Sequence, residues 1–316
     1  MPEMITFGEA LAVFSPKSSG PFRYLRDFEL HMAGAESNTA IGLQKLGHTT
    51  GWFSRLGEDE VGQFVLNAVR AEGVDVSRVA VDPNHRTGLM VKEIRDQGET
   101  RVYYYRDQSA CSFAKPEDIE EEYLKTAKIF HFTGITPVLS DSCKQAVCRA
   151  MELADKNGVK LSFDPNIRYK LWGKHDYSAM LREMMLQSQI VLAGLDEAGL
   201  LLQAEKPQEV FEKLFSLGRV EIAALKDGGK GAWVAAGGEI HHIPPFPCHC
   251  IDPVGAGDSF NAAFLAGVLE GLDVKTCGEM GAVAGALATQ SLGDIESQPS
   301  RQEMDRALHH SKTVFR

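Results

Sequence analysis

From about Phe130 onward the chain alternates between short apolar runs and longer stretches of helical periodicity. Ile129-Phe130-His131-Phe132 predicts a strand. Ser140 reads as an N-cap, and Cys143, Val147, Ala150, Met151 and Ala154 then recur at helical spacing until Gly158. Val159 to Phe163, Ile190 to Ala193 and Val220 to Leu225 predict further strands. Ala232-Trp233-Val234 begins a hairpin with Glu239-Ile240-His241, and Gly257 to Leu308 reads as two or three helices. Strands alternating with helices predict a mostly parallel sheet covered on both faces.

Two segments break that rhythm. Phe22 to His31 and Thr87 to Arg106 mix aromatic, β-branched and charged residues like strands with one wet face, Val102-Tyr103-Tyr104-Tyr105-Arg106 most clearly. They predict a small antiparallel sheet outside the main layer. No repeat, low-complexity tract or Pro/Gly-rich linker divides the chain, so residues 1–316 read as one domain, with the small sheet drawn from about 10–35 and 86–111.

Composition narrows the function classes. With 44% hydrophobic and 24% charged residues, the chain is neither disordered nor collagen-like. Its apolar runs are too short to span a bilayer, and the N-terminus lacks a basic stretch followed by an apolar one, so no membrane partner and a cytoplasmic location are expected. A formal charge of -10 argues against nucleic acid, which demands clustered Lys and Arg, but not against a small anion. None of the six cysteines forms a C-x-x-C pair. Cys248-His249-Cys250 is too tightly spaced, and lacks the second ligand pair, for a usual zinc site; His241-His242 and His309-His310 read the same way.

The chemistry concentrates in Asp252-Pro253-Val254-Gly255-Ala256-Gly257-Asp258-Ser259-Phe260, where a Gly-Ala-Gly turn leads into a helix of small and apolar residues. Such a turn offers backbone N–H groups and the positive end of a helix dipole to an anion. Asp258 in the first turn could cap the helix. It could equally accept a proton from a hydroxyl attacking phosphorus while Gly255, Ala256 and Gly257 stabilise the phosphoryl charge. No G-x-x-x-x-G-K-[ST] motif and no G-x-G-x-x-G after the first strand compete with this segment.

The segment resembles the C-terminal signature of the ribokinase (PfkB) carbohydrate-kinase family, with Pro253 where Thr is common. Ala33-Gly34-Ala35-Glu36-Ser37-Asn38-Thr39-Ala40 resembles the N-terminal signature, about 220 residues earlier. Tyr104-Tyr105-Arg106, Gly134-Ile135-Thr136, Asp164-Pro165-Asn166-Ile167-Arg168 and Gly293-Asp294-Ile295-Glu296 are most similar to the 2-keto-3-deoxygluconate kinases of that family. Fructokinases share the D-P-N-x-R text.

The resemblance implies a ribokinase-like α/β three-layer sandwich with a β-sheet lid, and an enzyme that uses ATP and Mg²⁺ on a sugar acid. It implies that Gly34, Ala35, Asn38, Met90, Tyr104, Arg106, Ile135, Arg168, Asp258 and Asp294 surround the sugar, the two arginines facing its carboxylate as guanidinium forks. On the nucleotide side it implies Asn166, Gly194, Lys226, Gly228, Gly229, Gly231, Ala256 and Gly257, with Glu197 reaching the metal through water. The chain departs from the family at Gly194, where Asn or Ser is usual, and at Met90, where an aromatic residue is frequent in the subgroup. Fructose, another sugar, or simple sugar binding without catalysis are the rival readings. Exposed edges of the lid predict a homo-oligomer, a dimer or larger.

Overall fold

Residues 1–95 and 100–308 are described in the computed structural model. The strands are β1 (Met4–Phe7), β2 (Leu11–Pro16), β3 (Phe28–Ala33), β4 (Thr50–Gly57), β5 (Val79–Asp82), β6 (Leu89–Ile94), β7 (Thr100–Tyr105), β8 (Ile129–Thr133), β9 (Lys160–Asp164), β10 (Ile190–Gly194), β11 (Ile222–Lys226), β12 (Ala232–Ala236) and β13 (Glu239–Ile243). The helices are α1 (Ala35–Lys45), α2 (Glu60–Ala71), α3 (Glu121–Leu124), α4 (Asp141–Lys156), α5 (Tyr169–Trp172), α6 (Ser178–Gln187), α7 (Leu195–Leu202), α8 (Pro207–Leu217), α9 (Ala256–Leu269), α10 (Val274–Ala288) and α11 (Arg301–Leu308). None of these helices is long and apolar enough to cross a membrane.

Nine strands form the main sheet in the order β13-β12-β11-β10-β9-β8-β1-β4-β5, parallel from β11 to β5 with the β12–β13 hairpin antiparallel at one edge. Successive side chains of a strand point to opposite faces, and here both faces are apolar. In β10, Val191 and Ala193 join the core under α4, α6, α7 and α8, whereas Ile190 and Leu192 join the core under α1, α2, α9 and α10. In β4, Phe53 and Trp52 divide the same way. This is the three-layer arrangement that the apolar runs predict.

The second sheet has the order β3-β2-β6-β7, antiparallel at β2–β3 and β6–β7, with its central β2–β6 pair parallel. One rung carries His31, Val13, Met90 and Tyr104 on the face toward the main body. The next carries Leu30, Phe14, Val91 and Tyr103 on the other face. Sequence reading placed 10–35 in the small sheet without singling out β2 as a strand, and drew β3 too long: Phe22–Tyr24 is a 3-10 turn after Pro21, and the Phe22 N–H donates to Glu93 Oε1 at 2.8 Å instead of joining a ladder. The Thr87 to Arg106 expectation becomes β6 and β7, although residues 96–99 within it lie outside the described residues, as do His309 and His310. The Ser140 cap is present, its Oγ accepting from the Cys143 N–H at 3.0 Å.

Leu192 is fully buried at the centre of the main sheet, and Leu200 on α7 is 47% exposed. Leu192→Ala should therefore cost about 2–5 kcal/mol in a urea melt. Leu200→Ala should stay within about 0.5 kcal/mol. Equal losses would contradict this packing.

Candidate active site

The parallel strands β1, β8, β9, β10 and β11 all end on one edge of the main sheet. The chain leaves β1 toward β4 on one side, and later strands continue from β8 on the other. That reversal opens a crevice at the strand ends, the usual ligand position in such sheets. Two helix N-termini meet over it. Asn38 in the first turns of α1 donates through Nδ2 to Asp258 Oδ2, in the first turn of α9, at 2.8 Å. Gly255 precedes α9 with φ +81°, and a Cβ there would stand 3.2 Å from the Asp294 carbonyl oxygen, so the turn requires glycine twice over. The Gly257 and Asp258 N–H groups have no intrahelical carbonyl to reach. Of the three amides that the sequence named, the Ala256 N–H already meets the Pro253 carbonyl, at 3.4 Å.

All ten positions assigned to a sugar, from Gly34 to Asp294, line one cavity of about 120 Å³ beneath the small sheet. Burial pushes the Asp258 carboxyl up to about 7, helped by the charge of Asp164 and opposed by the Asn38 hydrogen bond, Arg168 and Lys226. Burial also raises Asp294, against the pull of Lys92. Arg106 is buried and ion-paired with buried Glu9, and its Nε has no partner. Arg168 is exposed, and among the described residues its guanidinium hydrogen-bonds only to the Ile167 carbonyl, at 3.4 Å. The two arginines thus share a cavity but not a condition: one is already neutralised and the other is available.

Sequence reasoning missed Glu9 and gave Glu36 no role. Glu36 is buried, accepts from Thr133 Oγ1 at 2.6 Å and Thr136 Oγ1 at 2.9 Å, and has a second oxygen with no partner. Burial raises its carboxyl, and it lines the same cavity. Its sequence signal was a glutamate in the first turn of a helix, set between Ala35 and Ser37.

Across α9 lies a second cavity of about 440 Å³, lined by Lys226, Gly228, Gly229, Gly231, Ala256 and Gly257. Its far wall is apolar, from Phe246, Ala282 and Ala286, which the sequence had not marked, and it includes Cys248 and Cys250, which the sequence had weighed only as metal ligands. Lys226 Nζ donates to Asp164 Oδ2 at 2.7 Å and Asn261 Oδ1 at 3.0 Å, and lies 3.7 Å from where a Gly257 Cβ would be. Asn166 and Gly194 are not on this cavity's wall. Asn166 sits at φ +40° with its N–H on Asp164 Oδ1 at 3.1 Å, and the Gly194 N–H caps against Glu197 Oε2 at 3.0 Å. Glu197, expected on a solvated face without the family resemblance, is partly buried, and its Oε1 accepts the Ile167 N–H at 2.6 Å. Burial, then the charge of Asp164, raises its carboxyl. No cluster of three acidic, His or Cys side chains able to hold a metal directly occurs among the described residues.

The sequence matches the pfkB family of carbohydrate kinases over residues 1–301. It is 33% identical, over 99% of this chain and 97% of the other, to a Bacillus subtilis (strain 168) protein described as 2-dehydro-3-deoxygluconokinase, a synonym of 2-keto-3-deoxygluconate kinase. It is 31% identical, over 97% of both chains, to "Probable fructokinase-5" of Arabidopsis thaliana. Among solved structures, a candidate ribokinase II of E. coli in complex with ATP and Mg²⁺ superposes with a TM-score of 0.91 at 25% identity, over 98% of this chain and 100% of that one.

The raised carboxyl of Asp258 gives a stability test. Below about pH 4 both folded and unfolded chains carry it protonated, and it contributes nothing to pH dependence. Above that the unfolded chain ionises first, so the residue destabilises the fold increasingly until pH passes about 7, and constantly thereafter. Asp258→Asn should gain stability relative to the parent between pH 4 and 7 and keep that gain at pH 8. Thermal melts showing a pH-independent difference would contradict the raised value.

Proposed function

The chain belongs to the pfkB family of carbohydrate kinases, and on that premise we propose that it transfers the γ-phosphoryl group of ATP to the terminal hydroxyl of 2-keto-3-deoxygluconate. The observation that carries the reading is Asp258, held by Asn38 at 2.8 Å where the two cavities meet across the first turn of α9. A carboxyl titrating near 7 is matched to removing a hydroxyl proton near neutral pH. The free first-turn amides and Lys226 favour negative charge on the other side of the same turn. An apolar wall of Phe246, Ala282 and Ala286 suits an adenine ring, and Lys226 suits its phosphates.

Mg²⁺ fits only indirectly. Each Glu197 oxygen already accepts a backbone N–H, which leaves lone pairs for metal-bound water rather than a bare coordination site. When bound, the ion would neutralise charge on the phosphate oxygens. The protein's own part is to seat the hydroxyl beside Asp258, take its proton there, and exclude water beneath the small sheet.

Arg168 supports an acid substrate, because its guanidinium is free to pair with a carboxylate. The Glu9–Arg106 pair favours the second reading, a neutral sugar such as fructose, since it leaves one free arginine rather than two. We also propose self-association through the small sheet, supported by the exposed Leu30, Tyr103 and Tyr105 on its outer face.

ADP release with Mg-ATP should be selective for 2-keto-3-deoxygluconate over fructose, ribose and gluconate. Arg168→Ala should raise KM for the acid at least about tenfold. Preference for a neutral sugar that ignores Arg168 would transfer the substrate to the fructokinase reading.

Asp258→Asn should lower turnover by about 10² to 10⁴-fold. In the parent, turnover should climb as pH rises through about 7, since the base must be ionised among Asp164, Arg168 and Lys226. Near-normal turnover in a folded Asp258→Asn variant would remove Asp258 from this role.

A further inference from the structure

One buried charge is unused by this mechanism. Lys92 lies on β6, two residues beyond Met90, and no signature marked it. Its side chain is 7% exposed, an unusual position for lysine. Nζ lies 3.4 Å from Asp294 Oδ1 and 3.9 Å from Asp252 Oδ2. These carboxylates belong to two different loops, both at the active edge.

Each loop sets part of the site. Asp252 Oδ1 accepts the Val254 N–H at 3.0 Å and so shapes the turn that leads into α9. Asp294 lines the sugar-side cavity beside Asn38 and Asp258, and its carbonyl packs against Gly255. Gln298 Nε2 braces the same group, donating to the Asn38 carbonyl at 3.0 Å and the Asp294 carbonyl at 3.2 Å. The charge of Asp252 disfavours ionised Asp294, and Lys92 is the cation that offsets it. A route of direct contacts therefore runs from the small sheet through Lys92, Asp294, Gln298 and Asn38 to Asp258.

Resting on the kinase reading above, we propose that Lys92 is a positioning residue: its ammonium docks the small sheet onto the Asp252 and Asp294 loops and thereby sets the turn of α9 and the Asn38–Asp258 pair. It touches neither reacting group. Its removal leaves two neighbouring carboxylates without their shared cation, so the loops separate and Asp258 loses its alignment.

The test is steady-state kinetics of the full chain with Mg-ATP and 2-keto-3-deoxygluconate. Lys92→Met should lower kcat on the order of ten- to a hundredfold, with KM for ATP within about twofold of the parent. Lys92→Arg should recover part of the rate, and Lys92→Ala should be accelerated saturably by methylammonium. A scaffold role alone would show no such amine rescue. The proposal is overturned by parental kcat in Lys92→Met, or by a loss that neither arginine nor methylammonium relieves. If Lys92→Met fails to fold, Lys92→Ala purified in methylammonium carries the same test. Asp258→Asn run in parallel separates the two claims. An active Asp258→Asn variant sinks the site reading and this proposal with it; an inactive one beside unchanged Lys92→Met sinks this proposal alone.

Discussion

The hydrogen bond between Asn38 and Asp258 joins the first turns of two helices that are 220 residues apart in sequence. It can form only because α1 and α9 approach closely. At Gly42 a Cβ would fall 2.7 Å from the Ala262 side chain, so the crossing needs glycine on one helix opposite alanine on the other. Once the helices are that close, their N-termini face the same crevice, and a carboxylate at the start of α9 is shielded from water. Its elevated proton affinity follows from this packing, as does its separation of the two cavities.

The surrounding charges follow a second rule. A buried charge is tolerated when it has a partner, and the partners here are mostly internal. Asp164 is shared by Lys226 and Asn261, at 2.7 Å each, and Glu9 is met by Arg106 and Ser109. What remains unmatched is therefore informative. Among the described residues, the second oxygen of Glu36, Nε of Arg106 and Oδ1 of Asn38 are buried without partners, all on residues that line the same cavity. Two acceptors and a donor of this kind are the groups that the hydroxyls of the proposed sugar would meet.

Much of this was legible beforehand. Alternating apolar runs reveal the strands from β8 onward because a sheet buried on both faces leaves little else for its residues to be. The glycines of the α9 turn and the sugar-side positions stood out as contiguous text. The misses have a common cause. Glu9, Lys92 and Asn261 act through partners far away in the chain, and a lone polar or charged residue reads the same from the sequence whether it is solvated or clamped. Strand β2 was not singled out because Leu11-Ala12-Val13-Phe14 is a continuous apolar run without the polar alternation of its neighbours, and the 3-10 turn after Pro21 was taken for a strand because its aromatic residues match strand composition. Glu197 shows the opposite case: helical spacing alone suggested solvent, and its capping of two backbone amides is visible only when β9, β10 and α7 are assembled.

The place of β1 has a consequence for how the molecule is made. Although first in the chain, this strand lies inside the sheet, between β4 and β8. During synthesis one of its edges must wait until residue 129 has emerged, with its backbone amides unpaired or temporarily protected. Closing this edge does not complete the groove, because Arg168, Asp258 and Asp294 on its wall are synthesised later still. The inner edge of the sheet is thus closed first and the cavity completed afterwards, so a nascent chain can carry a joined β1–β8 pair before it carries the full set of cavity residues.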